Sequence, residues 1–195
     1  MHSLPDIPTE YRGAIRKVRA SECEVVTAHL KRLDADARHR RFGHDVSDSY
    51  IEDYAGGVVA PGNLAFGYFL DGDLRALAEL KRTADGPSAT AEAAFSVERD
   101  FTNRGLASML MGNVIRSARN RGVRHLLLYC MADNAKMQAI ARRHSANLRF
   151  EEGGVIADII PETPNCSSMA QEFLEDRLGF AHALLDYQRR LMRAA

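Results

Sequence analysis

Apolar residues change spacing several times along the chain, and each spacing predicts an element. Over 11–19, Ile15 and Val18 stand among basic residues, and the segment reads as a first strand with weak alternation. Ser21, with Glu24 three residues on, reads as a helix N-cap with its capping-box partner. The helix that follows carries Val25, Val26, Leu30 and Leu33. The stretch 34–44 is charged and holds Arg38, Arg40 and Arg41, and 47–54 reads as a second short helix. Residues 64–70 form a mostly apolar strand, Asp71-Gly72-Asp73 a tight turn, and 74–82 the returning strand. A second turn at Asp85-Gly86-Pro87-Ser88 leads to a strand over 91–97.

The pattern then turns helical. Leu106, Leu110, Val114 and Ala118 line one face of a helix over 106–121, and Gly122 is placed to end it. The continuous apolar run 126–131 predicts a strand buried on both faces. Asp133 or Asn134 can cap the next helix, which carries Met137, Ile140 and Ala141. Residues 148–151 and 155–160 read as a strand pair around Gly153-Gly154. After Pro161 and Pro164, 169–193 reads as an amphipathic helix whose stripe of Phe173, Leu174, Leu178 and Leu185 is expected to be buried, with Gly179 counting against its continuity. The order predicts an α/β fold, a mixed, mostly antiparallel twisted sheet flanked by helices. It divides the chain into a tail over 1–10, a domain over 11–160 and a helical extension over 161–195.

Composition narrows the partners. Lys plus Arg and Asp plus Glu both number 26, so charge gives no reason to expect nucleic acid or an anionic membrane. Cys23, Cys130 and Cys166 are odd in number and far apart, which predicts reduced thiols in the cytoplasm rather than a disulfide framework. No apolar run reaches signal-peptide or membrane-span length. The seven histidines have no metal-ligand spacing, so no metal is expected.

The chemistry concentrates where the strand 91–97 meets the helix that starts at Leu106. A helix N-terminus presents unpaired N–H groups and a partial positive charge, an anion site suited to phosphate. Gly105 permits close backbone approach, Ala107 and Ser108 keep it open, and Arg104 adds a charge that pairs with phosphate oxygens.

This junction resembles the acyl-CoA pyrophosphate loop of the GNAT acetyltransferases, Gln/Arg-x-x-Gly-x-Gly/Ala. Thr102-Asn103-Arg104-Gly105-Leu106-Ala107 matches at the glycine and the final small residue and departs at Thr102. Asp133-Asn134-Ala135-Lys136-Met137 resembles the family's Asn-x-x-Met/Ala beside the pantetheine arm. The resemblance covers roughly 11–160 and is nearest in motif to bacterial protein lysine acetyltransferases. It implies acetyl-CoA as acyl donor, bound by Phe95, Val97, Thr102, Asn103, Arg104, Gly105, Leu106, Ala107, Ser108 and Asn134, and a protein lysine or small-molecule amine as acceptor.

Alternation places Glu92, Ala94 and Ser96 on a small-residue face that suits a cleft. Glu92 also matches the glutamate that serves the lysine-acetylating branch as general base, and burial beside Ala94 is expected to raise its pKa. Glu98 is the competing carboxylate. The tyrosine that many family members use as general acid is replaced by Ala141. Cys130 reads as a core residue rather than an acyl carrier, His144 as a partner of its helix dipole, and Arg38, Arg40 and Arg41 as a solvated basic face, with recognition of an acidic acceptor the alternative. The extension can pack on its own domain, form a homodimer contact or cover the acceptor slot. Thr102 and Ala141 keep open a catalytically silent CoA sensor, and the last helix keeps open an interaction protein.

Overall fold

The structure is a computed structural model and describes residues 13–83 and 89–194. The expected turn at 85–88, the tail 1–10 and the start of the first expected strand lie outside these residues. Strands β1 (Ala14–Lys17), β2 (Leu64–Leu70), β3 (Asp73–Arg82), β4 (Thr90–Val97), β5 (His125–Met131), β6 (Asn147–Glu151) and β7 (Gly154–Ile159) form one sheet in the order β1-β2-β3-β4-β5-β7-β6. All neighbours are antiparallel except β4 and β5. Helices α1 (Cys23–Arg32), α2 (Ala35–Phe42) and α3 (Asp48–Val58) precede β2, α4 (Leu106–Asn120) joins β4 to β5, α5 (Ala135–Arg143) follows β5, and α6 (Cys166–Ala194) ends the described chain.

Strand alternation sorts two cores. Phe66, Ala78 and Phe95 pack with Leu110, Met111 and Val114 of α4 on one face. Phe69, Leu74 and Leu77 pack with Val26 and Leu30 of α1 and Ile51 of α3 on the other. Each fully buried side chain of this size contributes about 1.5–3 kcal/mol. Local caps set the helix starts. The Asp34 carboxylate accepts the Ala37 N–H at 2.8 Å, and the Ser47 hydroxyl accepts that of Tyr50 at 3.2 Å. Thus the charged stretch 34–44 contains a helix, and the short helix expected over 47–54 extends to Val58.

One expectation at the N-terminal side changes. Ser21 does not cap α1: it lies within a 3-10 turn, Ala20–Glu22, and the Glu22 carboxylate accepts the Arg19 N–H at 3.0 Å. Glu22 is drawn there by the buried Arg16, which donates to both its oxygens at 2.8 Å.

The larger correction concerns α6. It runs unbroken for 29 residues, and its expected apolar stripe faces solvent: Phe173, Leu174, Leu178 and Leu185 are each at least half exposed. The opposite, polar face meets the domain. Asp186 accepts from Arg16 at 3.0 Å, Glu172 from Ser117 and Arg121 at 2.8 Å and from Asn120 at 2.7 Å, and Arg190 pairs with Glu22 at 3.3 Å. Gly179 is there for close approach, because a Cβ on it would sit 3.0 Å from Cβ of Arg16.

This seam makes helix docking acid-sensitive. Burial alone would raise Glu172, but hydrogen bonds from Asn120, Ser117 and Arg121 hold it down at about 2. Burial likewise opposes Glu22, yet Arg16 and its neighbours hold it below its ordinary value. Both folded-state values are depressed. Their stabilisation is therefore present above the ordinary carboxylate value of 4.5 and is lost as pH falls toward 2. Hydrogen exchange is expected to show α6 losing protection before the sheet over that range; protection of α6 unchanged down to pH 2 would contradict the seam.

Candidate functional site

Strands β4 and β5 pair only from Thr90↔His125 to Ala93↔Leu128. Beyond that step β4 continues to Val97 and β5 to Met131, where β5 pairs with β7 alone. The two strands therefore part, and among the described residues no strand lies beside the β4 edge over Ala94, Phe95, Ser96 and Val97 on that side. A 3-10 turn, Arg99–Phe101, then leads to the loop that opens α4.

In that loop Thr102, Asn103, Arg104 and Gly105 are exposed. Asn103 and Gly105 both hold left-handed backbone, φ 61° and 78°, and Gly105 occupies the N-cap of α4 without a capping side chain. The first-turn amides are thus left to water or a ligand, a concave donor set for an anion. Arg104 stacks 5.3 Å from the Phe101 ring, which Arg75 meets at 5.5 Å on its own approach. The Thr102 hydroxyl turns back to Arg99 O at 2.9 Å. Phe95 and Leu106 have core side chains, so only their backbone can meet a ligand. Val97 and Ala107 are half-buried, and Ser108 shares a 3.2 Å hydrogen bond with His144. Asn134 caps α5, its oxygen accepting the Met137 N–H at 3.2 Å.

The Glu92 face of β4 differs from expectation at both ends. Glu92 is exposed rather than buried beside Ala94 as expected. It stands one step before the strands part. Ala94 is half-buried, while Ser96 is closed over by His29 of α1, whose Nε2 lies 2.9 Å from the hydroxyl. The cleft face is thus open at Glu92 and sealed at Ser96. Beside Ala94, Glu79 of β3 accepts from Tyr54 of α3 at 2.7 Å and from Arg41 of α2. Burial, then the Glu79 charge, pushes the Tyr54 hydroxyl far above its ordinary value, so it stays protonated.

The competitor Glu98 is committed elsewhere. It is buried, and His29, Arg32 and Arg75 reach it at 3.1, 2.9 and 3.0 Å. Burial would raise its carboxyl, but these three partners hold it below the ordinary value. An ionised carboxylate shared by three basic groups is an anchor between α1 and β4 rather than a base. Cys130 lies buried with its thiol pushed up by burial, which disfavours the thiolate an acyl carrier needs. Burial also lowers His144, so it is neutral and serves Ser108 rather than the helix dipole. Of the three arginines of α2, Arg38 and Arg40 make solvent-exposed pairs with Asp48 and Asp133, as a solvated face would, whereas Arg41 is buried against Glu79.

Sequence reasoning missed Tyr129. The apolar run predicted burial on both faces of β5, yet Tyr129 is 61% exposed. The reason is tertiary: α1 packs on β3, α2 on β4 and α3 against α1, and where β4 parts from β5 that face of β5 is left open. Pairing of Glu92 with Leu127 puts Tyr129 on the Glu92 side of the sheet. Ala141, at the family's tyrosine position, is fully buried. Among the described residues no cluster suits a metal, and no helix is long and apolar enough to cross a membrane.

Known proteins share this arrangement. Over 89 residues the chain is 35% identical to acetyltransferase Pat of Mycolicibacterium smegmatis, a stretch that is 45% of this chain but 27% of that relative's length. The fold is similar to the GNAT domain of S. lividans PAT, with TM-score 0.66 at 19% identity over 76% of this chain and 90% of that one. It is also similar to a putative acetyltransferase from Salmonella typhimurium solved with its cofactor acetyl-CoA, with TM-score 0.61 at 15% identity over 80% and 99%. Residues 21–145, well over half of the chain, match the model of the acetyltransferase (GNAT) family, and the chain belongs to that family.

Proposed function

We propose that the chain transfers acetyl from acetyl-CoA to a primary amine by direct attack in a ternary complex, with a protein lysine as the favoured acceptor. The observation that carries this reading is the parting of β4 from β5 directly ahead of the Gly105 loop, with Glu92 at the last paired steps. Acetyl-CoA supplies an activated thioester. The amides around Gly105 hold its phosphates, and the unpaired β4 edge takes the amide-bearing arm as a sheet takes a strand. Glu92, directly or through one water, accepts the proton that the ammonium must lose before it attacks. A C–N bond then forms, the C–S bond breaks, and the second proton that the nitrogen sheds on becoming an amide ends, through water or a hydroxyl, on the departing thiolate. Tyr129, exposed on the same side, offers a hydroxyl to that thiolate where Ala141 cannot.

A lysine on a protein surface fits the open face beside Tyr129 better than a small amine, which needs an enclosing pocket. Cytoplasmic residence and a division at residues 160/161 belong to this reading. The second reading, a silent CoA sensor, draws on Thr102, whose hydroxyl is engaged by Arg99 O, and on Ala141. Turnover separates the two.

The direct test is Glu92→Gln, which keeps shape and removes basicity. With a lysine peptide, kcat is expected to fall roughly 10²-fold or more, with acetyl-CoA affinity nearly unchanged and partial recovery at high pH, where free amine is available. Wild-type kcat across the neutral range would show that deprotonation occurs elsewhere.

A further inference from the structure

The feature that acetyl transfer does not use is the outward face of α6. Ten large apolar side chains between Met169 and Met192 are each more than half exposed. At about 100 Å² apiece they offer on the order of 1,000 Å², more than the roughly 800 Å² per partner of a standard interface. A soluble monomer rarely leaves so large a contiguous patch open. The face is also patterned. Phe173, Arg177, Phe180, Leu184, Tyr187 and Leu191 recur at alternating four- and three-residue steps, the repeat of a helix that packs along another helix. Leu174, Leu178, Leu185 and Met192 continue a second seam one residue on. Both seams lie away from the polar face that Glu172, Asp186 and Arg190 anchor to the domain; Arg19 of the domain reaches the Phe180 ring at 5.6 Å, and Phe180 still stays 61% exposed.

We propose that α6 pairs antiparallel with α6 of a second copy of this chain. The pattern selects both occupant and direction. In an antiparallel pair centred between Phe180 and Leu184, Phe173 meets Leu191 of the second copy, Phe180 meets Leu184, and Arg177 meets the Tyr187 ring and hydroxyl. The apolar seam is thereby self-complementary, as a two-fold interface requires. A parallel pair would instead set Arg177 against Arg177 within the seam, a like-charge contact that disfavours it. A membrane surface is a poorer occupant. A helix lying in a bilayer interface is flanked by excess Lys and Arg, whereas α6 balances Glu172, Glu175, Asp176 and Asp186 against Arg177, Arg189, Arg190 and Arg193.

The test is mass in solution on the full chain. Light scattering at micromolar concentration is expected to give twice the 21.6 kDa chain mass. Phe180→Glu with Leu184→Glu should run as a monomer, a loss of at least ~100-fold in association, with helical circular dichroism retained because both side chains are exposed in one copy. Direction is read by cross-linking in a Cys166→Ser background. Phe173→Cys and Leu191→Cys should each fail to cross-link alone and should cross-link when mixed. A monomeric wild type, a dimer that survives the double substitution, or self-cross-linking of Phe173→Cys would each overturn the proposal. A monomer that sediments with anionic vesicles would assign the face to a membrane instead.

Discussion

Gly105→Glu is expected to abolish acetyl-CoA binding while leaving the chain folded. Gly105 holds φ 78° at the N-cap of α4 and is exposed. A side chain there carries a backbone penalty of about 1–2 kcal/mol. Part of that is offset, because a carboxylate at a helix N-terminus is favourable by about 0.3–1 kcal/mol. With a phosphate of acetyl-CoA at these amides, as proposed, the same carboxylate would occupy its space and oppose its charge. The loop's function is therefore removed at small cost to the fold. Calorimetry should show acetyl-CoA affinity lost by well over ~10²-fold, with circular dichroism unchanged. Wild-type affinity in a folded variant would move the cofactor site away from this junction.

Glu22→Ala should be the most destabilising of the substitutions considered. Arg16 has no exposed side-chain surface, lies 3.4 Å from the centre of the Phe69 ring, and is shared by Glu22 and Asp186. Arg190 adds a second cation against Glu22, and Arg189 approaches Asp186 at 3.7 Å. Removing Glu22 leaves a buried guanidinium with one distant-chain partner and frees the Arg19 amide that Glu22 holds. Breaking a buried pair on one side costs about 3–5 kcal/mol, out of the roughly 5–15 kcal/mol that stabilises a domain. Urea unfolding should show that loss, and Glu22→Gln, which keeps an acceptor, should lose less. A loss below about 1 kcal/mol would mean the pair behaves as a solvated surface contact.

The strand-loop-helix junction was legible because its information is local. A left-handed position wants glycine, a helix start wants a free N-terminus, and β2 and the turn after it declare themselves within a few residues. Glu92 was placed on the correct side of β4 by alternation alone, although its exposure was not. Exposure depends on whether a helix crosses above, and α1 covers Ser96 but not Glu92. Glu98 looked like a rival base until three basic residues, one of them 69 positions away, were found around it.

The sequence by itself determined the element order, the class of fold and the glycine turn that opens α4, all of which follow from spacing and backbone preference within a short window. Tertiary structure alone decided that β5 opens one face at Tyr129 and that α6 docks by its charged side. Periodicity says that a helix has an apolar stripe, but not which surface will be there to meet it. Here Arg16, 170 residues before Asp186, needed a carboxylate in a buried place. Satisfying that charge oriented the helix and left its apolar stripe facing outward.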